Sequence, residues 1–205
     1  IVIFKWDWVS DKHLEGIQFD IKRNYDIIPG MTIEIKVRYL MRLAENVYVK
    51  SIWLDQPIQS PREIDPSVLG ILKGASVGPD GFVNFTEEIG ATELWKMGFN
   101  GSKSVIAILD TGVDITGSAG GDLDDFDNDT STADVKFLGG VSMVPDEPLY
   151  YSDLNGRGTF HAGIASGTGD INRTFIGVAP GASYLSVKVF DVVGITYWSF
   201  IISGI

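Results

Sequence analysis

A short, uninterrupted apolar run at residues 105–109 constrains the fold of this chain more than any other feature. The run is rich in β-branched residues and is followed at once by Asp110, Thr111 and Gly112. A strand buried on both faces has this pattern, because alternation disappears when neither face meets water. In open parallel α/β sheets, functional groups gather beyond the carboxyl ends of the strands. Asp110 is therefore a candidate functional carboxylate, and the alternative is a turn former or helix cap.

Strands and helices alternate in the pattern of residues 86–205. The predicted elements are a helix at 86–97 capped by Thr86 and ended by Gly98, strands at 105–109, 135–144 and 184–190, a small-residue helix at 159–165, and a helix opening near Trp198. Such alternation predicts an α/β domain with a parallel three-layer sheet and right-handed crossovers.

The first 55 residues predict a separate, small α+β module. Residues 32–37 alternate like a half-buried strand, residues 39–46 have helical spacing, and residues 47–54 return to β-branched and aromatic residues. The module's remaining elements are expected before residue 17. Residues 56–85 are rich in proline and glycine, which predicts an exposed connector of the kind where proteolysis concentrates.

Charge changes at the same boundary. Residues 1–60 carry 8 Lys/Arg and 8 Asp/Glu, whereas residues 61–205 carry 8 and 19, so the whole net charge of -11 lies in the second part. An acidic surface disfavours nucleic acid and anionic membranes as partners. No apolar run approaches the roughly 20 residues that span a bilayer. Because the chain starts at Ile1 and stops inside a helical pattern at Ile205, we expect a fragment.

Three blocks, at residues 105–114, 155–167 and 177–190, resemble the subtilisin-like serine proteases in content, order and spacing. The resemblance covers about residues 86–205. It implies a subtilisin-like fold and a serine-type endopeptidase that hydrolyses peptide bonds with an Asp–His–Ser triad. Asp110 matches the triad carboxylate, which orients the imidazole.

The second block departs from the family pattern at one position. Four of its residues match in register: Gly158, Thr159, Ala162 and Gly163. The residue before Gly158 should be the catalytic histidine, and it is Arg157. A guanidinium stays protonated and has no lone pair to accept a proton, although it could pair with Asp110.

His161 is the alternative base. It lies four residues after Arg157, one helical turn or about 6 Å further along the axis. Helical side chains lean back towards the N-terminus, which allows partial substitution. We interpret His161 as a packed interior histidine instead. The serine nucleophile is not in the chain, because the family places it in a Gly-Thr-Ser block downstream. The chain as given is therefore expected to be inactive.

The resemblance also implies partners. Gly194, Ile195 and Thr196 match the edge segment that pairs with an extended peptide or protein substrate, and the alternative is a simple turn. Residues 1–55 look like the end of an inhibitory propeptide, and the alternative is an unrelated accessory domain. The connector would then carry the maturation cleavage, and the parent protein would be secreted.

An acidic loop predicts a structural calcium site. Five aspartates crowd this loop: Asp122, Asp124, Asp125, Asp127 and Asp129. No Lys or Arg lies between Lys103 and Lys136 to neutralise them, and a hard oxygen-seeking ion would relieve their repulsion. The family resemblance assigns calcium to Asp122, and the alternative is a merely solvated loop.

Two other function classes stay open. A pseudoprotease would bind peptides in the cleft without cutting them, and Arg157 favours it. A nucleotide-binding α/β protein would need a phosphate-cradling glycine loop directly after a strand, where this sequence supplies the carboxylate of Asp110.

Overall fold

The computed structural model describes residues 1–60, 85–115, 124–126, 136–145, 147, 151–169 and 176–205. The strands are β1 Val2–Phe4, β2 Phe19–Asn24, β3 Gly30–Ile35, β4 Val49–Ile52, β5 Pro57–Gln59, β6 Val105–Asp110, β7 Phe137–Ser142, β8 Ser183–Lys188 and β9 Ile195–Tyr197. The helices are α1 Leu40–Ala44, α2 Phe85–Glu88, α3 Ala91–Lys96, α4 Arg157–Ser166 and α5 Trp198–Gly204. None of the described helices is long and apolar enough to cross a membrane.

The chain divides into two compact units. The first comprises Ile1–Ile58 with Thr196–Ile205, and the second comprises Gln59–Ile195. The first unit contains a four-stranded antiparallel sheet in the order β2-β3-β1-β4, so the predicted α+β module does have an element before residue 17. The core of this unit is apolar and includes Val2, Phe4, Leu14, Met31 and Leu43.

The second unit contains the predicted parallel sheet. Its strand order is β6-β8-β7, and both pairings are parallel. The register places Asp110 opposite Lys188 at the carboxyl ends of β6 and β8. Helix α4 packs against β6, and the small core beneath it includes Ile108, Phe126 and Tyr184. The predicted strands at 135–144 and 184–190 and the helices at 159–165 and near Trp198 are confirmed within a few residues.

Two local predictions are wrong. Strand β6 is not buried on both faces, since Val105 is 54% exposed while Ile108 is buried. Only the face that packs against α4 and Phe126 is covered in the described part of the chain. The single helix at 86–97 is two short helices, because Gly90 adopts a left-handed conformation (φ +76) between α2 and α3. Thr86 is the second residue of α2 and does not precede it as the predicted cap would.

Candidate active site

The carboxylate of Asp110 ends strand β6 and is the meeting point of the site. Asp110 is 4% exposed, and its Oδ1 accepts the Thr111 backbone N–H at 2.7 Å. Arg157 Nε lies 3.3 Å from the same oxygen, and His161 Nδ1 lies 2.7 Å from Oδ2. The structure therefore brings all three candidate residues together, and the two carboxylate oxygens are divided between a guanidinium and an imidazole.

Both partners of the Asp110 carboxylate come from one face of helix α4. Residues four apart on a helix lie on the same side, and the side chains lean back towards its N-terminus. His161 uses that lean to reach Asp110, and 47% of its side chain is exposed. The interpretation of His161 as a packed interior histidine is therefore wrong. The rise along the helix places the backbone of His161 one turn beyond Arg157. The direction of the His161 side chain brings its ring back to Asp110.

Arg157 begins α4 and is held on two sides. Its Cζ lies 4.7 Å from the centre of the Phe190 ring, a cation–π contact that adds to the ion pair with Asp110. The side chain is 28% exposed, and its Nη1 is buried without a hydrogen-bond partner among the described residues. The guanidinium is thus held beside Asp110 as a fixed positive charge.

Asp153 organises the start of α4. Its Oδ1 accepts hydrogen bonds from the Thr111 hydroxyl and from the backbone N–H groups of Asn155 and Gly156, each at 2.9 Å. Its Oδ2 accepts from the Thr159 backbone N–H at 2.9 Å and from the Thr159 hydroxyl at 2.7 Å. Burial raises the pKa of Asp153, but the bonds from Thr159, Gly156 and Asn155 outweigh burial and lower that pKa overall.

The first turn of α4 lies directly on the turn after β6. Gly158 N–H donates to the Thr111 hydroxyl at 2.9 Å, and a Cβ at Gly158 would stand 1.9 Å from the carbonyl oxygen of Gly112. Only glycine allows this approach. Because α4 can come this close, its first and second turns both reach the carboxylate of Asp110.

A buried lysine lies beneath the turn. Lys188 is fully buried, and its Nζ donates to the carbonyl oxygen of Thr111 at 2.6 Å. Burial lowers the pKa of Lys188, and four acidic groups work in the opposite direction: Glu147, Asp153, Asp191 and Asp110. Lys188 therefore fixes the backbone of Thr111, whose N–H and hydroxyl both bind site carboxylates.

An extended segment of the chain lies along the predicted peptide edge. Gly194 precedes β9 with a left-handed backbone (φ +80), and Ile195 and Thr196 are the first two residues of β9. Strand β9 pairs with β5 in a two-stranded sheet, and the Ser60 backbone N–H donates to the Gly194 carbonyl at 2.8 Å. Asn155, two residues before α4, donates from Nδ2 to the carbonyl of Val192 at 3.0 Å.

Comparison with known proteins decides the family. The model of the subtilase family matches residues 101–204, just over half of the chain. The chain belongs to the subtilase family. It is 36% identical over 120 residues to subtilisin E of Bacillus subtilis, a match that covers 58% of this chain and 27% of that protein.

Longer matches relate this subtilase chain to two other proteases. It is 28% identical over 183 residues to alkaline elastase YaB of a Bacillus species, covering 88% of this chain and 38% of that protein. It is 32% identical over 180 residues to the thermostable alkaline protease of Halalkalibacterium halodurans, covering 86% and 39%. Matches of this length extend into the first 60 residues. The subtilase chain spans between about a quarter and two fifths of the length of these relatives.

The acidic loop of this subtilase chain is described only in part. Asp122, Asp127 and Asp129 lie outside the described residues, whereas Asp124 and Asp125 belong to a 3-10 turn at Asp124–Phe126. Asp125 Oδ1 is buried and has no hydrogen-bond partner in the described part of the chain. Among the described residues, no three His, Cys, Asp or Glu side chains converge as a metal site would require.

Sequence reasoning missed three residues of the subtilase site: Thr111, Asp153 and Lys188. A lysine inside an otherwise apolar strand was a usable signal for Lys188, because an unpaired lysine is almost never fully buried. The position of Asp153 just before a glycine-rich helix start was a usable signal too, since aspartate accepts from the free N–H groups of a first helical turn.

Proposed function

We propose that this chain is part of a serine endopeptidase precursor. In that proposal, Asp110 supplies the triad carboxylate and the segment at Gly194, Ile195 and Thr196 binds extended peptide or protein substrates. The pairing of β5 with β9, with the Ser60 N–H on the Gly194 carbonyl, carries the proposal. It supports a strand edge that accepts a peptide by backbone hydrogen bonds, a recognition mode that leaves the peptide extended. The nucleophile would come from a serine outside this chain.

The same pairing supports the inhibitory role of the N-terminal module. A segment that leads from residues 1–55 pairs with β9 as an extended strand, which is the conformation that a substrate would adopt in this mode. The matches to two proteases that extend into the first 60 residues also support it. We propose that this module is the chain's own inhibitor, that cleavage within residues 56–85 releases it, and that the mature protein is secreted. Recovery of the cleaved protein in the culture medium of an expressing cell would support secretion, and retention in the cells would contradict it.

The activity is tested on the full-length parent protein. A fluorophosphonate probe that labels activated serines should label it after maturation, and the new N-terminus should map within residues 56–85. Asp110→Asn should lower peptide hydrolysis by a factor of about 10³–10⁴, because the carboxylate that orients the imidazole is lost. A parent that neither labels nor hydrolyses peptides, whatever residue stands at 157, would contradict the endopeptidase proposal.

A pseudoprotease is the second candidate, and one contact favours it. Arg157 Nε lies 3.3 Å from Asp110 Oδ1, so a permanent cation occupies the place of the family's base. If this arrangement abolishes catalysis, the parent should bind extended peptides without cutting them. Arg157→His should then create serine labelling that the unaltered protein lacks.

Calcium binding is proposed for the acidic loop. The buried Asp125 Oδ1 without a partner supports it, because calcium prefers carboxylate oxygens and would satisfy such a group. The remaining ligands would come from Asp122, Asp124, Asp127 and Asp129. Chelation of calcium should lower the melting temperature of the folded parent, and Asp125→Asn should reduce the size of that shift. Equal melting temperatures with calcium and with chelator would remove the assignment.

A further inference from the structure

We propose that His161 is the general base of this site, acting from one helical turn beyond the position the family uses. The inference rests on the proposed endopeptidase function and deepens it. It assigns the proton-accepting role to Nε2 of His161, with peptide bonds as the substrate class.

The contact with Asp110 fixes the tautomer of His161. Its Nδ1 lies 2.7 Å from Asp110 Oδ2. An ionised carboxylate only accepts hydrogen bonds, so Nδ1 must carry the proton in this contact. In a neutral imidazole the other nitrogen then holds a lone pair. The contact therefore leaves Nε2 as a proton acceptor, which is the state that a general base needs.

The imidazole ring of His161 is accessible to solvent. The His161 side chain is 47% exposed, while the carboxylate that it contacts is buried. A purely structural histidine in the core would hide both ring nitrogens and bond them internally. In the described part of the chain, Nδ1 of His161 is bonded to Asp110, and Nε2 has no protein partner. One ring nitrogen is anchored and the other is accessible to a reactant.

Arg157 and His161 bind the same carboxylate through different oxygens. Arg157 contacts Oδ1 of Asp110, whereas His161 contacts Oδ2, so the guanidinium does not displace the imidazole. The contact of Arg157 with the Phe190 ring holds the guanidinium at the start of α4. Arg157 cannot accept a proton, but it leaves room for a residue that can.

The proposed reaction balances with a serine hydroxyl from outside the chain as the nucleophile. As the serine oxygen forms a bond to the peptide carbonyl carbon, its proton passes to Nε2 of His161. The imidazolium, stabilised by Asp110, then gives that proton to the leaving amine as the C–N bond breaks. Water repeats the sequence on the acyl-enzyme and restores the serine. This scheme requires the hydroxyl within about 2.6–3.2 Å of Nε2.

The test compares three variants in the full-length parent by fluorophosphonate labelling and by peptide hydrolysis. His161→Gln keeps a polar side chain without a basic nitrogen and should reduce both rates at least about 100-fold. Arg157→Gln removes the ion pair with Asp110 and the contact with Phe190, and it should stay within about tenfold of the unaltered protein because a guanidinium cannot accept the serine proton. Ile164→Ala, on the same helix and partly exposed, should leave both rates unchanged.

A measurement without any substitution guards against misfolded variants. Imidazole ¹⁵N NMR of the unaltered parent should show that the neutral form of the His161 ring carries its proton on Nδ1, and Asp110→Asn should abolish that preference. A neutral ring with its proton on Nε2 would overturn the inference.

The outcomes distinguish a failure of the proposed role of His161 from a failure of the proposed endopeptidase function. An active parent in which His161→Gln keeps its rate would overturn the role of His161 and leave the endopeptidase intact. An inactive parent that Arg157→His activates would also overturn it, since residue 157 would then be the only working base position. An inactive parent that Arg157→His fails to activate would overturn both proposals.

Discussion

The two compact units of this subtilase chain bury side chains of different chemical character. The core of the first unit consists of apolar side chains such as Val2, Phe4 and Leu43. The charged side chains that are buried in the described part of the chain all lie in the second unit: Asp110, Asp114, Lys136, Asp153 and Lys188. Burial of a charge is unfavourable unless hydrogen bonds or an opposite charge compensate for it. The first unit is therefore organised for stability, and the second holds a preformed polar network where the chemistry is proposed.

The largest loss of stability is expected at Gly158, where the backbone of α4 lies against the backbone of Gly112. Gly158→Ala places a methyl group 1.9 Å from the Gly112 carbonyl oxygen and should destabilise the second unit by about 4 kcal/mol. Gly163→Ala, on the same helix, meets only Phe126 Cζ at 3.9 Å and should be neutral or stabilising by up to about 1 kcal/mol. Urea unfolding measures both. Equal effects would mean that the helix tolerates displacement and that the network is not tightly specified.

A smaller loss of stability is expected from a cavity in the apolar core of the first unit. Leu43 is completely buried, so Leu43→Ala should cost about 3 kcal/mol through lost burial and the remaining cavity. Val47→Ala, at a 67% exposed position in the same unit, should change stability by less than about 0.5 kcal/mol. Hydrogen exchange on the amides of β1, β3 and β4 reports on this unit directly. Similar exchange in both variants would contradict the view that apolar packing stabilises it.

The smallest expected effect is a change in the acid dependence of the free energy of unfolding. The pKa of Asp153 is lowered in the folded protein, so its stabilising contribution is present above its unfolded pKa of about 3.9 and is lost as the pH falls through the folded value. Asp153→Asn should therefore lower the free energy of unfolding at pH 7 and weaken its dependence on pH below about pH 4. The exposed pair Lys22–Glu34 gives the control, because Glu34→Gln should leave the unfolding curve nearly unchanged. If Asp153→Asn unfolds with the same acid dependence as the unaltered protein, the carboxylate is not an important acceptor.

The sequence was sufficient for the elements that depend on local pattern. Strand β6 with Asp110 at its end, strand β8 and helix α4 all follow from apolar runs and small-residue spacing. The predicted helix at 159–165 began two residues too late, since α4 starts at Arg157. The carboxylate site was predictable because a parallel sheet collects such residues at one edge.

Contacts between distant residues were not predictable in the same way. Thr111 and Asp153 are 42 residues apart, and nothing in either local pattern indicates that they bind each other. His161 was misjudged because helical rise was weighed more heavily than side-chain direction. The open face of β6 was missed because an apolar run reports what a strand can bury and not what covers it.

The hydrogen bond between Ser60 and Gly194 has a consequence for the occupancy of the strand edge. If this edge binds peptides as proposed, the segment paired with it is tethered to the same chain and would compete with free peptides at an effective concentration on the order of millimolar, whatever the dilution of the protein. Diluting the protein would therefore not release the segment from the strand edge. Cutting the tether would convert that constant local occupancy into an ordinary bimolecular equilibrium, in which the released fragment can be outcompeted or lost.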